Sequence, residues 1–161
     1  MPNWIRGDLK VRGTKENIKK FLLEGLEPIP KGLFNPEKVK SEIITDDCFE
    51  FTIKATTGAF YIKDAGRSLI DNEIIETCIN EWEDNDERVI VLEDYKSAWG
   101  INVEGLVESS LKFNIDFKIL GFELGMEFNQ DVEIVKGEVI KNEEITFDDY
   151  EWECIRPHIG G

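Results

Sequence analysis

From Trp4 to Arg12 hydrophobic and polar positions alternate. Ile5, Leu9 and Val11 fall on one side with Gly7, while Trp4, Arg6, Asp8, Lys10 and Arg12 fall on the other. That is the period of a half-buried strand with one polar face. Gly13 breaks it, and Thr14 then stands where a helix N-cap belongs, with Glu16 in the first turn. Ile18, Phe21, Leu22 and Leu26 recur on one face of a helix that Gly25 and Pro28 end. Residues 28–40 carry Pro28, Pro30, Gly32 and Pro36 and read as an irregular crossing.

Phe49, Phe51, Ile53 and Ala55 alternate with Glu50, Thr52 and Lys54, which predicts a second strand. Thr57-Gly58 turns the chain into a third, residues 59–63, closed by Asp64-Ala65-Gly66-Arg67. Residues 71–82 are ambiguous. Ile74, Ile75, Cys78, Ile79 and Trp82 make a helical stripe behind Asp71, and the same β-branched content admits a strand; the pattern alone favours helix. Arg88–Ala98 reads as a strand. Asn102 is placed to cap a second amphipathic helix bearing Val103, Leu106, Val107 and Leu111, and Ile115, Phe117 and Ile119 form another strand. Val132–Val135 and Glu138–Ile140 flank Lys136-Gly137, a hairpin signal. This order predicts one α+β domain over residues 1–161. Its expected architecture is a ferredoxin-like antiparallel sheet with helices on one face, an inserted segment and a C-terminal hairpin.

Composition narrows the class. A chain of 161 residues is the size of one domain, and it buries enough surface to fold without staples. Cys48, Cys78 and Cys154 are odd in number and lack any C-x-x-C spacing, which argues against a disulfide framework, a zinc site or an iron–sulfur site. No secretory h-region or membrane-length apolar run is present, so a cytoplasmic protein is expected. The formal net charge is −15, and it is uneven. Residues 1–40 hold nine Lys/Arg and five Asp/Glu, a balance of +4, and residues 41–161 hold ten and twenty-nine, a balance of −19. Such a surface solubilises the chain, and it also suits a basic protein partner.

Three segments carry a family resemblance: Met1-Pro2-Asn3-Trp4, Ser97-Ala98-Trp99-Gly100-Ile101, and Phe122-Glu123-Leu124-Gly125-Met126-Glu127-Phe128. They resemble the small phage- and prophage-encoded YubB-like proteins that open Met-Pro-Asn-Trp. The resemblance implies a mobile-element origin and a ferredoxin-like core. It supplies no catalytic residues, because that family has none established. The acidic stretch 64–94 departs from the family pattern.

Candidate chemistry is sparse. His158, the single histidine, lies near the chain end, which leaves Ser–His, Cys–His and multi-histidine metal schemes one residue to share. Glu83-Asp84-Asn85-Asp86-Glu87 invites a calcium reading, but Arg88 and Val89 occupy two positions an EF-hand loop reserves for Asp/Asn and Gly. The sequence therefore predicts no enzyme, no metal and no cofactor. Asp148, Asp149, Glu151 and Glu153 interleave with Tyr150 and Trp152, the composition of an acidic-rimmed, aromatic-anchored contact with another protein. Trp4, Arg6, Lys10 and Arg12 lie on the outward face of the first strand, yet no RNP signature accompanies them and the whole-chain charge repels phosphate, so direct nucleic-acid binding is not expected. Trp99, Gly100 and Gly125 suggest an alternative. Glycines admit close backbone approach and the indole a stacked ring, as in a small-ligand or nucleotide-sequestering pocket.

Overall fold

The computed structural model describes residues 3–29, 41–55 and 58–161. The Pro-rich crossing falls almost wholly outside these residues, as does Thr57 of the expected turn. The chain begins with β1 (Trp4–Gly13), whose burial alternates as its sequence does: Ile5, Leu9 and Val11 are fully buried and Arg6, Lys10 and Arg12 exposed. The Thr14 hydroxyl accepts from Asn17 N at 3.3 Å and caps α1 (Lys15–Lys20), which runs on as a single π-helical turn, Phe21–Gly25. Leu26 is not part of the helical face as expected. It opens β2 (Leu26–Pro28).

Next come β3 (Glu42–Asp46), β4 (Phe51–Lys54), β5 (Phe60–Ile62), β6 (Ser68–Ile70) and β7 (Ile74–Thr77). The favoured helix over 71–82 is absent. Ile75 pairs with Ile53 and Thr77 with Phe51, and burial alternates from Ile74 to Thr77, so sheet pairing overrides the helical stripe. Asn72 rather than Asp71 punctuates the entry, its Oδ1 accepting from Ile74 N at 3.2 Å, and only one 3-10 turn, Ile79–Glu81, follows. Then come β8 (Arg88–Ala98), α2 (Val103–Phe113, capped by Asn102), β9 (Asp116–Glu123), β10 (Phe128–Val135), β11 (Glu138–Thr146) and α3 (Tyr150–Glu153). Lys136 and Gly137 both have positive φ, 49° and 81°, as the tight hairpin between β10 and β11 requires.

The strands form an eight-stranded antiparallel sheet, ordered β11-β10-β9-β1-β8-β6-β5-β2, and a three-stranded sheet, β3-β4-β7. This corrects the ferredoxin-like α+β expectation. Among the described residues strand accounts for 47% and helix for 20%, so antiparallel sheet sets the architecture and the helices are accessories to it. The expected strand over 59–63 is β5, and the extra strands come from segments with weak signals: β2 and β6 are three residues each, and β3 is almost wholly exposed.

One contiguous core joins the inward face of the large sheet, α1, α2 and the small sheet. Phe21 sits within it, edge-on to Phe113 at 5.6 Å and to Phe117 at 5.4 Å. On the opposite face of the large sheet the C-terminal segment covers one patch, where Tyr150 and Cys154 pack with Phe122 and draw in Leu120, Phe147 and Ile159. The outward side chains of β1 emerge beside that patch. No helix among the described residues is long and apolar enough to cross a membrane.

Candidate protein-binding surface

The C-terminal acidic–aromatic cluster splits into structural and free members. Asp149 caps α3, its Oδ1 accepting from Trp152 N at 3.2 Å. Glu153 reaches back, its Oε2 accepting from Asp148 N at 3.0 Å and Asp149 N at 3.2 Å, a reciprocal arrangement that fixes a helix too short to persist alone. Tyr150 points inward. It is 4% exposed, lies edge-on to Phe147 at 5.3 Å, and donates its hydroxyl to Asn129 Oδ1 at 3.4 Å. Burial, and then the Cys154 thiol beside it, push the phenol above its ordinary range. Tyr150 therefore anchors the helix to the sheet and is not a contact residue. Asp148, Glu151 and Trp152 remain exposed. Trp152 is 86% exposed, and Ile155, three residues on, is 77% exposed.

Trp4, Trp99, Gly100 and Gly125 do converge, at one end of the large sheet. Trp99 N donates to Asn3 O at 2.9 Å, and Gly161 N to Trp4 O at 3.0 Å. The buried Glu123 carboxylate holds the β9–β10 turn by accepting from Gly125 N at 2.8 Å and Met126 N at 2.5 Å. Yet the close approach these glycines permit is taken up by protein. A Cβ at Gly125 would meet Asn3 Nδ2 at 2.7 Å, and one at Gly100 would meet Gln130 Oε1 at 3.4 Å. Gln130 instead accepts from Ile101 N at 2.8 Å, steadying the entry to α2. The Trp99 indole is 67% exposed with the Arg67 guanidinium 5.5 Å from its centroid, a cation–π contact. Trp4 is half-buried.

The acidic loop before β8 engages cations of the chain itself. Asp84 pairs with Lys15 at 2.9 Å, Asp86 with Arg88 at 3.3 Å and Glu87 with Lys136 at 2.7 Å. Among the described residues no three His, Cys, Asp or Glu side chains are grouped to hold a metal ion. His158 lies in the terminal segment, beside Arg6 and Arg156 in a cleft over β1. Sequence reasoning missed Ile155, whose exposure extends the Trp152 surface, and Asn3, which organises the sheet end. The first carried no periodic signal, and the second acts through its backbone carbonyl. Comparisons with family models, curated proteins and solved structures find no match to this chain.

Proposed function

We propose that the protein is a non-enzymatic accessory protein of a phage or prophage. In this reading it binds a basic host or phage protein, such as a defence or DNA-binding factor, through the acidic surface around α3. One observation carries the proposal. Trp152 stands 86% exposed on a four-residue helix whose N-terminus Asp149 and Glu153 cap together and which Tyr150 ties to the sheet. An exposed Trp on a preformed support loses little conformational freedom on docking, and Trp is among the residues that dominate binding energy. Asp148 and Glu151 beside it supply a rim that steers a cationic partner. The mobile-element part of the proposal rests on the Met-Pro-Asn-Trp opening and the two later segments.

Immobilised wild type, Trp152→Ala and Asp148→Lys/Glu151→Lys, each exposed to host lysate and compared by quantitative mass spectrometry, test it. A basic protein should be retained by wild type. Truncating a hot-spot Trp costs about 2 kcal/mol or more, so retention by Trp152→Ala should drop by roughly thirtyfold in affinity. The charge-reversed variant should lose it too. An identical set of captured proteins across all three would sink the reading.

A further inference from the structure

The outward face of β1 contradicts the overall charge. Three contiguous clefts, of about 330, 210 and 80 Å³, run along it, the first two sharing Asp8 and Arg156 and the last two sharing Lys10 and Lys118. The cations along this groove are Arg6, Lys10, Arg12, Lys96, Lys118 and Arg156. The carboxylates are Asp8, Asp94, Asp116 and Glu133, with Asp71 at the edge against Lys96, which leaves a balance of +1 on a chain of −15. Some of these charges neutralise each other. Arg12 pairs with the buried Asp116 at 2.6 Å, Lys118 with Glu133 at 2.8 Å, and Lys96 with Asp71. Arg156 approaches Asp8 only to 3.8 Å. Arg6 and Lys10 have no carboxylate within ion-pair distance among the described residues. Among the described residues an acidic chain thus keeps two unpaired cations, one loosely paired cation and the single unpaired carboxylate of Asp94 together, on the part of this sheet face that the C-terminal segment borders but leaves open.

We propose that this groove binds an extended acidic peptide segment of another protein. Arg6 and Lys10 sit four residues apart on the same face of one strand, about 13 Å at the rise of extended chain. Carboxylates four residues apart in an extended peptide have the same separation, so each meets a cation. The residue midway between them comes over Asp8, with Leu120 and Ile155 beside it in the central cleft, so an uncharged aliphatic side chain suits that position and a third carboxylate does not. A nucleic-acid strand fits worse. Phe117, Phe122 and Tyr95 line the groove at 1%, 3% and 0% exposure and give bases no surface to stack on, which leaves the exposed His158 imidazole at one end as a single ring where a strand of bases needs a row of them. The net charge also repels a continuous row of phosphates, whereas two carboxylates feel mainly the local cations.

The probe is a fluorescein-labelled peptide, Ser-Glu-Ser-Val-Ser-Glu-Ser, followed by anisotropy against the full chain. A same-composition control, Ser-Glu-Glu-Ser-Val-Ser-Ser, breaks the spacing, and an eight-nucleotide oligothymidylate tests the alternative occupant. Binding of the first peptide should weaken as salt rises. Arg6→Gln and Lys10→Gln should each weaken it by about fivefold, the most an exposed ion pair usually supplies. Lys20→Gln, which removes one exposed charge on α1, should leave it unchanged. Both groove substitutions lie on outward side chains, so unaltered thermal midpoints confirm the fold. Failure of the first peptide to bind, equal binding of the two peptides, indifference to both groove substitutions, or tighter binding of the oligonucleotide would each overturn the proposal.

Discussion

Gly105 in α2 sets two effects of opposite sign against each other. Glycine within a helix is about 0.8–1 kcal/mol less favourable than alanine, so propensity alone says that Gly105→Ala stabilises. The packing says otherwise. A Cβ there would overlap the backbone carbonyl of Asp64 and the Cα of Ala65, on the turn between β5 and β6. Backbone cannot rotate aside as a side chain can. Overpacking a close contact costs typically about 1–3 kcal/mol, toward the upper end where the neighbour is rigid. Gly105 N is also the donor to Asn102 Oδ1 at 2.9 Å, so displacing the helix strains its own cap. The two terms leave a net loss of about 1–2 kcal/mol. Urea unfolding monitored by circular dichroism measures it, and the slope should match wild type so that the shift in midpoint reports stability alone. A midpoint equal to or above wild type would show that α2 does not rest on the Asp64–Ala65 backbone, and the placement of the helix would be wrong.

Two further outcomes follow from individual side chains. Asp46 accepts from Lys19 at 2.6 Å and from Asn80 at 3.1 Å, and these bonds hold its carboxyl below 3.8, its ordinary value. Its contribution is therefore present above 3.8 and lost as pH falls through the lower folded value, so Asp46→Asn should flatten the acid limb of a stability-versus-pH curve; superimposable limbs would refute the bond. Cys48 and Cys78 are exposed and Cys154 is buried at 5% exposure, so a thiol reagent should modify two groups at once in the folded protein and the third only on unfolding. Three fast equivalents would place Cys154 at the surface.

Elements with strong local signals were legible. The alternation around Leu9, the caps at Thr14 and Asn102, the bounds of β8 and the Lys136-Gly137 turn all appear where the pattern puts them. What the pattern could not carry is pairing. β6 is three residues, too short for a period, and it exists because Leu69 and Ile70 find Tyr61 and Phe60 of β5 across the ladder. Ile75 reads as part of a helical stripe until Ile53 is set opposite it. With β2, β3, β6 and β7 unseen, the pattern offered seven strands with helices on one face, where the described residues form eleven strands in sheets of eight and three. The same limit applies to the surface. The aromatic–acidic run at 148–153 was visible, but whether Tyr150 or Trp152 faced solvent depended on Asn129 and Phe147, which accept and pack the phenol.

Charge shows the limit most sharply. Summed over the chain it is −15, split as +4 over residues 1–40 and −19 over residues 41–161, which suited either a solubilising surface or an acidic one meeting a basic partner. Interactions between exposed charges fade beyond a Debye length of about 10 Å at 0.1 M salt, so a partner feels the local patch rather than the total. Locally the sheet separates the signs. β1 holds Arg6, Lys10 and Arg12 at alternate outward positions, and the antiparallel register sets Lys118 of β9 directly opposite Lys10. Like charges facing one another across a ladder are destabilising. Lys118 is relieved by Glu133 on β10, but Lys10 is not relieved by any described carboxylate. A cation pair left half-compensated at the centre of an open sheet is a local cost that an anionic ligand would remove. This is why the groove, and not the more abundant acidic surface, is where this sequence departs from what solubility alone would select.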